Sequence, residues 1–411
     1  MRSRPILRRH FLAAFGAATF TLASPVAAQR AVSRADAVAA VVARSPALAV
    51  SAADTMTARG VVLEARAIPN PTLNLSATKD APQRHIAADL PLDFPWLRSA
   101  RIAGAQAGHA AAVDRFALAR AAAAFDADTA YTMALVAQAH AALSRQAALA
   151  ADSLRQAAEL RRDAGDVSDL DVELATIAAG QAANLAAVDS LAARSALLDL
   201  QTLMGESAGQ VDIQLADTLA VRDSVPLVMA QAGAPTPLAV AAAERSVAAA
   251  DHALTAARRS VWGSASVQLG VDFHDNTQPG YLPVIGLAIP IPLFNRSPGA
   301  VTLAQAERDR ARAELRVVQQ ASARDIARVR AAQEAALERV RRDRTLLASA
   351  SRVEALSRTA YREGATPLAT VLQAMGVARE TRGAYVDDVG TASVAAAALR
   401  LLTTSSVIIQ K

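Results

Sequence analysis

The sequence predicts a mainly α protein with a minor β part, built as long thin helical rods joined to four strands. Three observations predict it. Aromatic residues are 3% of the chain and hydrophobic residues 53%, the excess being Ala, which suits thin helices packed side by side better than one thick core. Helical patterning runs without a break over residues 96–163 and again over 299–363. Ahead of each run, apolar residues alternate with period two, as in strands with one covered face.

The first element is an export signal. "MRSRPILRRHFLAAFGAATFTLASPVAAQ" places Arg2, Arg4, Arg8 and Arg9 before an apolar run, then Val26-Ala27-Ala28, so residues 1–28 read as a signal peptide cleaved after Ala28. "LRRHFL" also resembles a twin-arginine signal, which leaves the export route open. The formal charge of +5 shrinks on cleavage to 39 basic against 38 acidic residues, which removes the electrostatic case for nucleic acid as a partner. With no cysteine there is no disulfide, no thiol chemistry and no acylation site for a lipid anchor.

The remaining elements occur twice. "SPALAVSAADTMTARGVVLEARAIPNPTLNLSA" from Ser45 aligns with "TPLAVAAAERSVAAADHALTAARRSVWGSASVQLG" from Thr236. "LRRDAGDVSDLDVELA" from Leu160 aligns with "AYREGATPLATVLQA" from Ala360. The first repeat, 29–204, reads as a helix, a hairpin over about 71–93, a long helix over about 96–163 and a helix over about 168–204. Residues 205–237, rich in Gly and Pro, form the linker. The second repeat, 238–404, has its hairpin over about 263–294, its long helix over about 299–363 and a last helix over about 367–404, followed by a tail at 405–411.

No apolar stretch of 18 residues follows the signal, which excludes spanning helices and leaves spanning strands open. Leu73, Leu75 and Ala77 share one strand face, and Ile86, Ala88, Leu90 and Leu92 share another. Ala265, Val267, Leu269, Val271 and Phe273 do the same in the second half, as do Ile285, Leu287, Ile289, Ile291 and Leu293. A soluble sheet with one wet face has this pattern too. Four strands cannot bury their edges, so strands in a membrane require oligomerisation: two copies give eight strands and three give twelve, with a lumen.

At 1.5 Å per residue each long helix is roughly 100 Å long. In the second, Leu315, Ile326 and Leu337, like Val318, Val329 and Val340, recur every eleven residues, which keeps a packing seam nearly parallel to the axis. At the strand-to-helix junctions, Pro290 and Pro292 lack backbone donors and end the ladder, and Ser297-Pro298-Gly299 starts the helix with a polar residue before Pro. Pro91 and Pro95 are expected to act likewise in the first half.

At this point the chain resembles the TolC family of outer-membrane efflux channels. The resemblance lies in "AVSRADAVAAVVARSPALAVSAADTMTARGVVLEARAIPNPTL", in "IPIPLFNRSPGAVTLAQAERDRARAEL" and in "AYREGATPLATVLQAMGVARETRGAYVDDVG", and it covers nearly all of the mature chain. It implies a homotrimer in the outer membrane, reaching into the periplasm. Each protomer is then part of an elongated α-helical barrel and contributes four transmembrane β-strands to a twelve-stranded barrel. It also implies a passive duct docked to a periplasmic adaptor and driven by an inner-membrane pump of RND or ABC type, with no cofactor.

In that family the tunnel narrows at the turns between helices, here "RDAGDVSDLDVE" and "REGATPLATVLQ". Gly165 and Gly364 suit the helix-ending backbone, Ser168 and Thr366 can cap the following helices, and Arg162 and Arg362 are candidate adaptor contacts. Where some members ring the aperture with aspartate, this chain has Thr370 and Gln373. Its acids are Asp166, Asp169 and Asp171 in the first half, either a cation-attracting ring or helix N-terminal carboxylates.

Catalytic chemistry has no carrier. The histidines at 10, 85, 109, 140, 252 and 274 show no metal-ligand spacing, and neither GxGxxG nor GxxxxGK occurs. The alternative class is a soluble periplasmic coiled-coil adaptor or scaffold, which would share the helices but not the two hairpins with their strand-to-rod junctions. Transported cargo, whether drugs, metal ions, lipids or protein, is left open.

Overall fold

The computed structural model describes residues 30–80, 82–206, 213–220, 236–260, 265–273, 280–291, 294 and 296–405. The signal, Pro292, Leu293 and the chain beyond residue 405 lie outside the described residues. The first half comprises β1 (Arg30–Val32), α1 (Arg34–Arg44), α2 (Pro46–Arg66), β2 (Thr72–Ala77), β3 (Arg84–Pro91), α3 (Pro95–Asp163) and α4 (Asp169–Leu203). Then come β4 (Ile213–Leu215), α5 (Leu238–Arg259), β5 (Ser266–Phe273), β6 (Leu282–Ala288), α6 (Pro298–Arg362) and α7 (Leu368–Thr403).

The two rods, α3 with 69 residues and α6 with 65, each open on a proline, where a missing N–H costs nothing because the first turn leaves its donors unused. Toward the strands α3 packs on α2 and α5, and toward its far end on α4 and α7. The other rod, α6, packs first on α5 and then on α7. Any level of the rod therefore contains only about four helices, and the contacts are made by small side chains. Ala127, Ala134 and Ala141, then Ser144, Ala151 and Ala158, are the buried face of α3 at seven-residue steps, which favours slight left-handed coiling. In α6 the eleven-residue series falls on the covered side: Val340 is buried, and Leu315, Val318, Ile326, Val329 and Leu337 are half-buried.

Midway along α3 sits a denser core of Val32, Ala37, Val41, Tyr131, Leu135, Leu200, Met204 and Ile213. Here the linker does more than join the repeats, because β4 pairs in parallel with β1. Three-residue strands carry too little pattern to be read from sequence. The first helix is likewise two helices, bent by 47° where Ser45 precedes Pro46. A proline disfavours helical backbone at the residue before it. α1 is held by a capping box in which Ser33 bonds Asp36, and that hydroxyl holds the Asp36 carboxyl below its usual range. Among the described residues no single helix is long and apolar enough to cross a membrane.

Candidate functional site: the sheet and the helix tips

The sheet has the order β2-β3-β5-β6, every neighbour antiparallel and both edges open. Its register decides what each face carries. Leu73, Ala88, Leu269 and Ile285 form one cross-strand row, Leu75, Ile86, Val271 and Pro283 the next, and Leu90, Val267 and Leu287 a third. All three rows are apolar and lie on the same face. None of the described residues covers them: Leu73, Leu75, Ile285 and Leu287 are 62–80% exposed. Rings stand at both ends of this band. Phe273 and Tyr281 are 6.2 Å apart at the loop end, and Phe94 stacks on Trp96 at 4.5 Å at the rod end.

The opposite face reads Thr72, Asp89, Gln268 and Gly286, then Asn74, Ala87, Gly270 and Val284, then Ser76, His85, Asp272 and Leu282. Asn74 donates to Asp89 at 2.5 Å, and the His85 ring lies 2.9 Å from the Asp272 carboxylate. At Gly270 a Cβ would stand 2.9 Å from the Ile86 carbonyl oxygen, so only glycine lets β3 and β5 approach here.

The ladders cover six to eight residues per strand. Ile289 and Ile291, both exposed, continue the apolar line beyond the ladder of β6, where Pro290 offers no donor. Pro91 is the last residue of β3, opposite Ser266, and Leu92 just beyond it still donates to Ala265 at 2.7 Å. Pairs alternate in an antiparallel ladder, so the Pro91 nitrogen points toward β2, which has already ended opposite Asp89. Pro95 is the first residue of α3. Ser297 stands at the N-cap position just before Pro298, without a side-chain cap, and turns the chain with φ +53°, the one non-glycine residue with positive φ among the described residues.

An ionic knot ties the halves together at mid-height. Asp128 of α3 binds Arg34 of α1 and, at 2.5 Å, Arg400 of α7. The Tyr131 hydroxyl donates to Val32 at 2.9 Å and lies 2.9 Å from Asp217, and burial pushes its pKa up. Paired and hydrogen-bonded on several sides, these charges escape the cost of an isolated buried ion. No pattern in the sequence marks Asp128, since its partners lie 94 and 272 positions away.

At the far end the two turns share one backbone. Gly165 at φ +82° and Gly364 at φ +75° each close a helix, with Asp166 donating to the Arg161 carbonyl and Ala365 to that of Ala360. That is the six-to-one bond of a Schellman ending. The turns pack on a shared cluster of Ala158, Val172, Ala175, Tyr361, Leu368 and Val371. Arg161 spans them, its guanidinium 4.9 Å above the Tyr361 ring and 2.8 Å from the Tyr361 carbonyl oxygen.

Arg162 bonds its neighbour Asp163 at 2.7 Å and Arg362 bonds Thr359 at 3.2 Å, both exposed. Asp166, Asp169, Thr370 and Gln373 are exposed, and Asp171 is half-covered, taking a hydrogen bond from Ser168 at 3.2 Å. Ser168 caps α4 by accepting from the Asp171 amide. Thr366 does not cap α7: it sits one residue ahead of the cap position, which Pro367 occupies, and its hydroxyl is buried without a partner.

With this geometry in hand, comparison with known proteins is decisive. The family model for the outer membrane efflux protein matches residues 262–405, from the third strand through the last helix. The likeness in fold extends to the other half as well. The solved VceC channel of Vibrio cholerae superposes with a TM-score of 0.74 at 18% identity, over 90% of this chain and 96% of that one. CmeC of Campylobacter jejuni superposes at 0.77 and 12% identity, over 90% and 85%, and MtrE of Neisseria gonorrhoeae at 0.71 and 15%, over 90% and 89%. No curated protein matches the chain by sequence. The fold is thus the one these solved channels share, a helical rod bearing an open four-stranded sheet.

Proposed function

We propose that the chain is the outer-membrane exit duct of a tripartite efflux or type I secretion system, conducting cargo passively from the periplasm to the outside. The observation that carries this reading is the sheet register, which puts the three apolar rows on one uncovered face and His85, Asp89 and Asp272 on the other, with Arg84 at the loop end of the apolar face. Such a sheet is stable where lipid meets one face and water the other. Its open edges close only with further strands, and three copies supply twelve. On the rods, Leu170, Ile177, Val188 and Leu191 of α4 stand exposed and are covered when protomers pack as staves.

The same reading places the tips in the periplasm. A periplasmic adaptor docks there on Arg162, Gly165, Ser168, Arg362, Gly364 and Thr366, and an RND-type or ABC-type pump supplies the energy through it. Asp166 and Asp169 line the aperture with Thr370 and Gln373, whereas Asp171 is engaged with Ser168. Cross-linking and native mass of protein extracted from outer membranes in mild detergent test the reading. A trimer in that fraction is expected, and a soluble monomer would overturn it in favour of an adaptor or scaffold.

A further inference from the structure

The polar face of the sheet carries three titratable side chains on its described strands: His85 and Asp89 of β3 and Asp272 of β5. His85 stands directly opposite Asp272 in the register, 2.9 Å away, and both side chains are largely covered, at 31% and 22% exposure. The pair walls a cavity of about 260 Å³ with Asn74 and Gln268, floored by Ala87 and Gly270. Small residues on that floor keep the face concave. Among the described residues no other charged strand residue faces His85: β2 presents Ser76 and Asn74, β5 presents Gly270 and Gln268 beside Asp272, and on β3 Asp89 lies four residues along the same face. Arg84, its chain neighbour, falls on the opposite face by strand alternation.

We propose that His85 sets the ion preference of the barrel lumen, through the net charge of its pair with Asp272. The proposal rests on the reading of this face as the lumen wall of a trimer. With a neutral imidazole the pair carries one negative charge, and with Asp89 the described strands of each protomer present two on this face. Protonation of His85 neutralises the pair and leaves Asp89 alone, so that charge halves. Histidine is the side chain whose charge changes in the physiological range of pH. Fixed charge in a confined pore sets local counter-ion concentration, so cation preference falls as the medium acidifies. This filter lies at the outer end of the conduit, far from the tip carboxylates.

The test is the reversal potential of purified trimers in planar bilayers under a potassium chloride gradient, at about pH 8 and about pH 5. The wild-type ratio of cation to anion permeability is expected to fall about twofold on acidification, following the halved charge. His85→Gln should keep the alkaline ratio and lose the fall, Asp272→Asn should lower the alkaline ratio, and Asp166→Asn with Asp169→Asn should keep the fall. A wild-type ratio indifferent to pH, or a fall that persists in His85→Gln, overturns the inference while leaving the duct intact. Trimers that open no channel overturn the duct and the inference with it.

Discussion

The two helix tips are copies of one motif about 199 residues apart, and they have divided the work between them. Backbone is shared: both turn through a glycine at positive φ and both bury a valine, Val172 or Val371, in the same cluster. Side-chain chemistry is not. The first tip caps its outgoing helix with Ser168 and carries Asp166, Asp169 and Asp171, while the second opens on Pro367 and offers Tyr361 as the apolar wall on which Arg161 rests. Duplication thus preserved what the turn geometry demands and released everything else to specialise.

The largest expected effect breaks the shared cluster from the second tip alone. Tyr361 is 4% exposed, and Tyr361→Ala should destabilise the tips by about 3–5 kcal/mol. Amide exchange should rise in both turns together. Its hydroxyl is buried without a partner, so Tyr361→Phe should be neutral or slightly stabilising. Exchange that rises in only one turn would show the tips to be independent.

Next in size are the glycines. Gly165→Ala and Gly364→Ala both force a Cβ into the left-handed region, and each should cost about 1–2 kcal/mol. The nearest neighbour of a new Cβ is absent at Gly165 and is the Arg161 guanidinium at 3.8 Å at Gly364, so the two costs should be similar. Thermal melts that differ by more than a few degrees would mean the backbones are less alike than their dihedral angles.

The capping contrast is smaller and sharper. Ser168→Ala should lose about 1 kcal/mol with the bond to the Asp171 amide, whereas Thr366→Val should cost nothing, because that hydroxyl bonds nothing. Equal losses at the two positions would restore Thr366 as a cap. The smallest effect is expected from Arg162→Ala, whose exposed pairing with Asp163 is worth at most about 1 kcal/mol to the fold. Loss of adaptor cross-linking in that variant, with the melt unchanged, would separate docking from stability.

Much of this architecture is legible because it is periodic. Leu73, Leu75, Ile86, Leu269 and Ile285 announce their strands by alternation, and α6 announces its straight seam by eleven-residue steps. Thr366 is where this legibility fails: it has the residue type and place of a cap, but a cap depends on dihedral angles one residue either way, and Pro367 takes the position.

The sequence by itself determined the rods, the hairpins, the twofold repeat and the amphipathic faces of the strands, because each is written as a pattern along the chain: alternation, eleven-residue steps and the repeat of whole segments. Only the tertiary structure decided that Asp128 anchors Arg34 and Arg400, that β4 returns to β1, that Arg161 rests on Tyr361 and that His85 meets Asp272. These contacts join positions about 90 to 270 residues apart. Their partners are chosen by how helices and strands pack in space, and no local spacing encodes that choice.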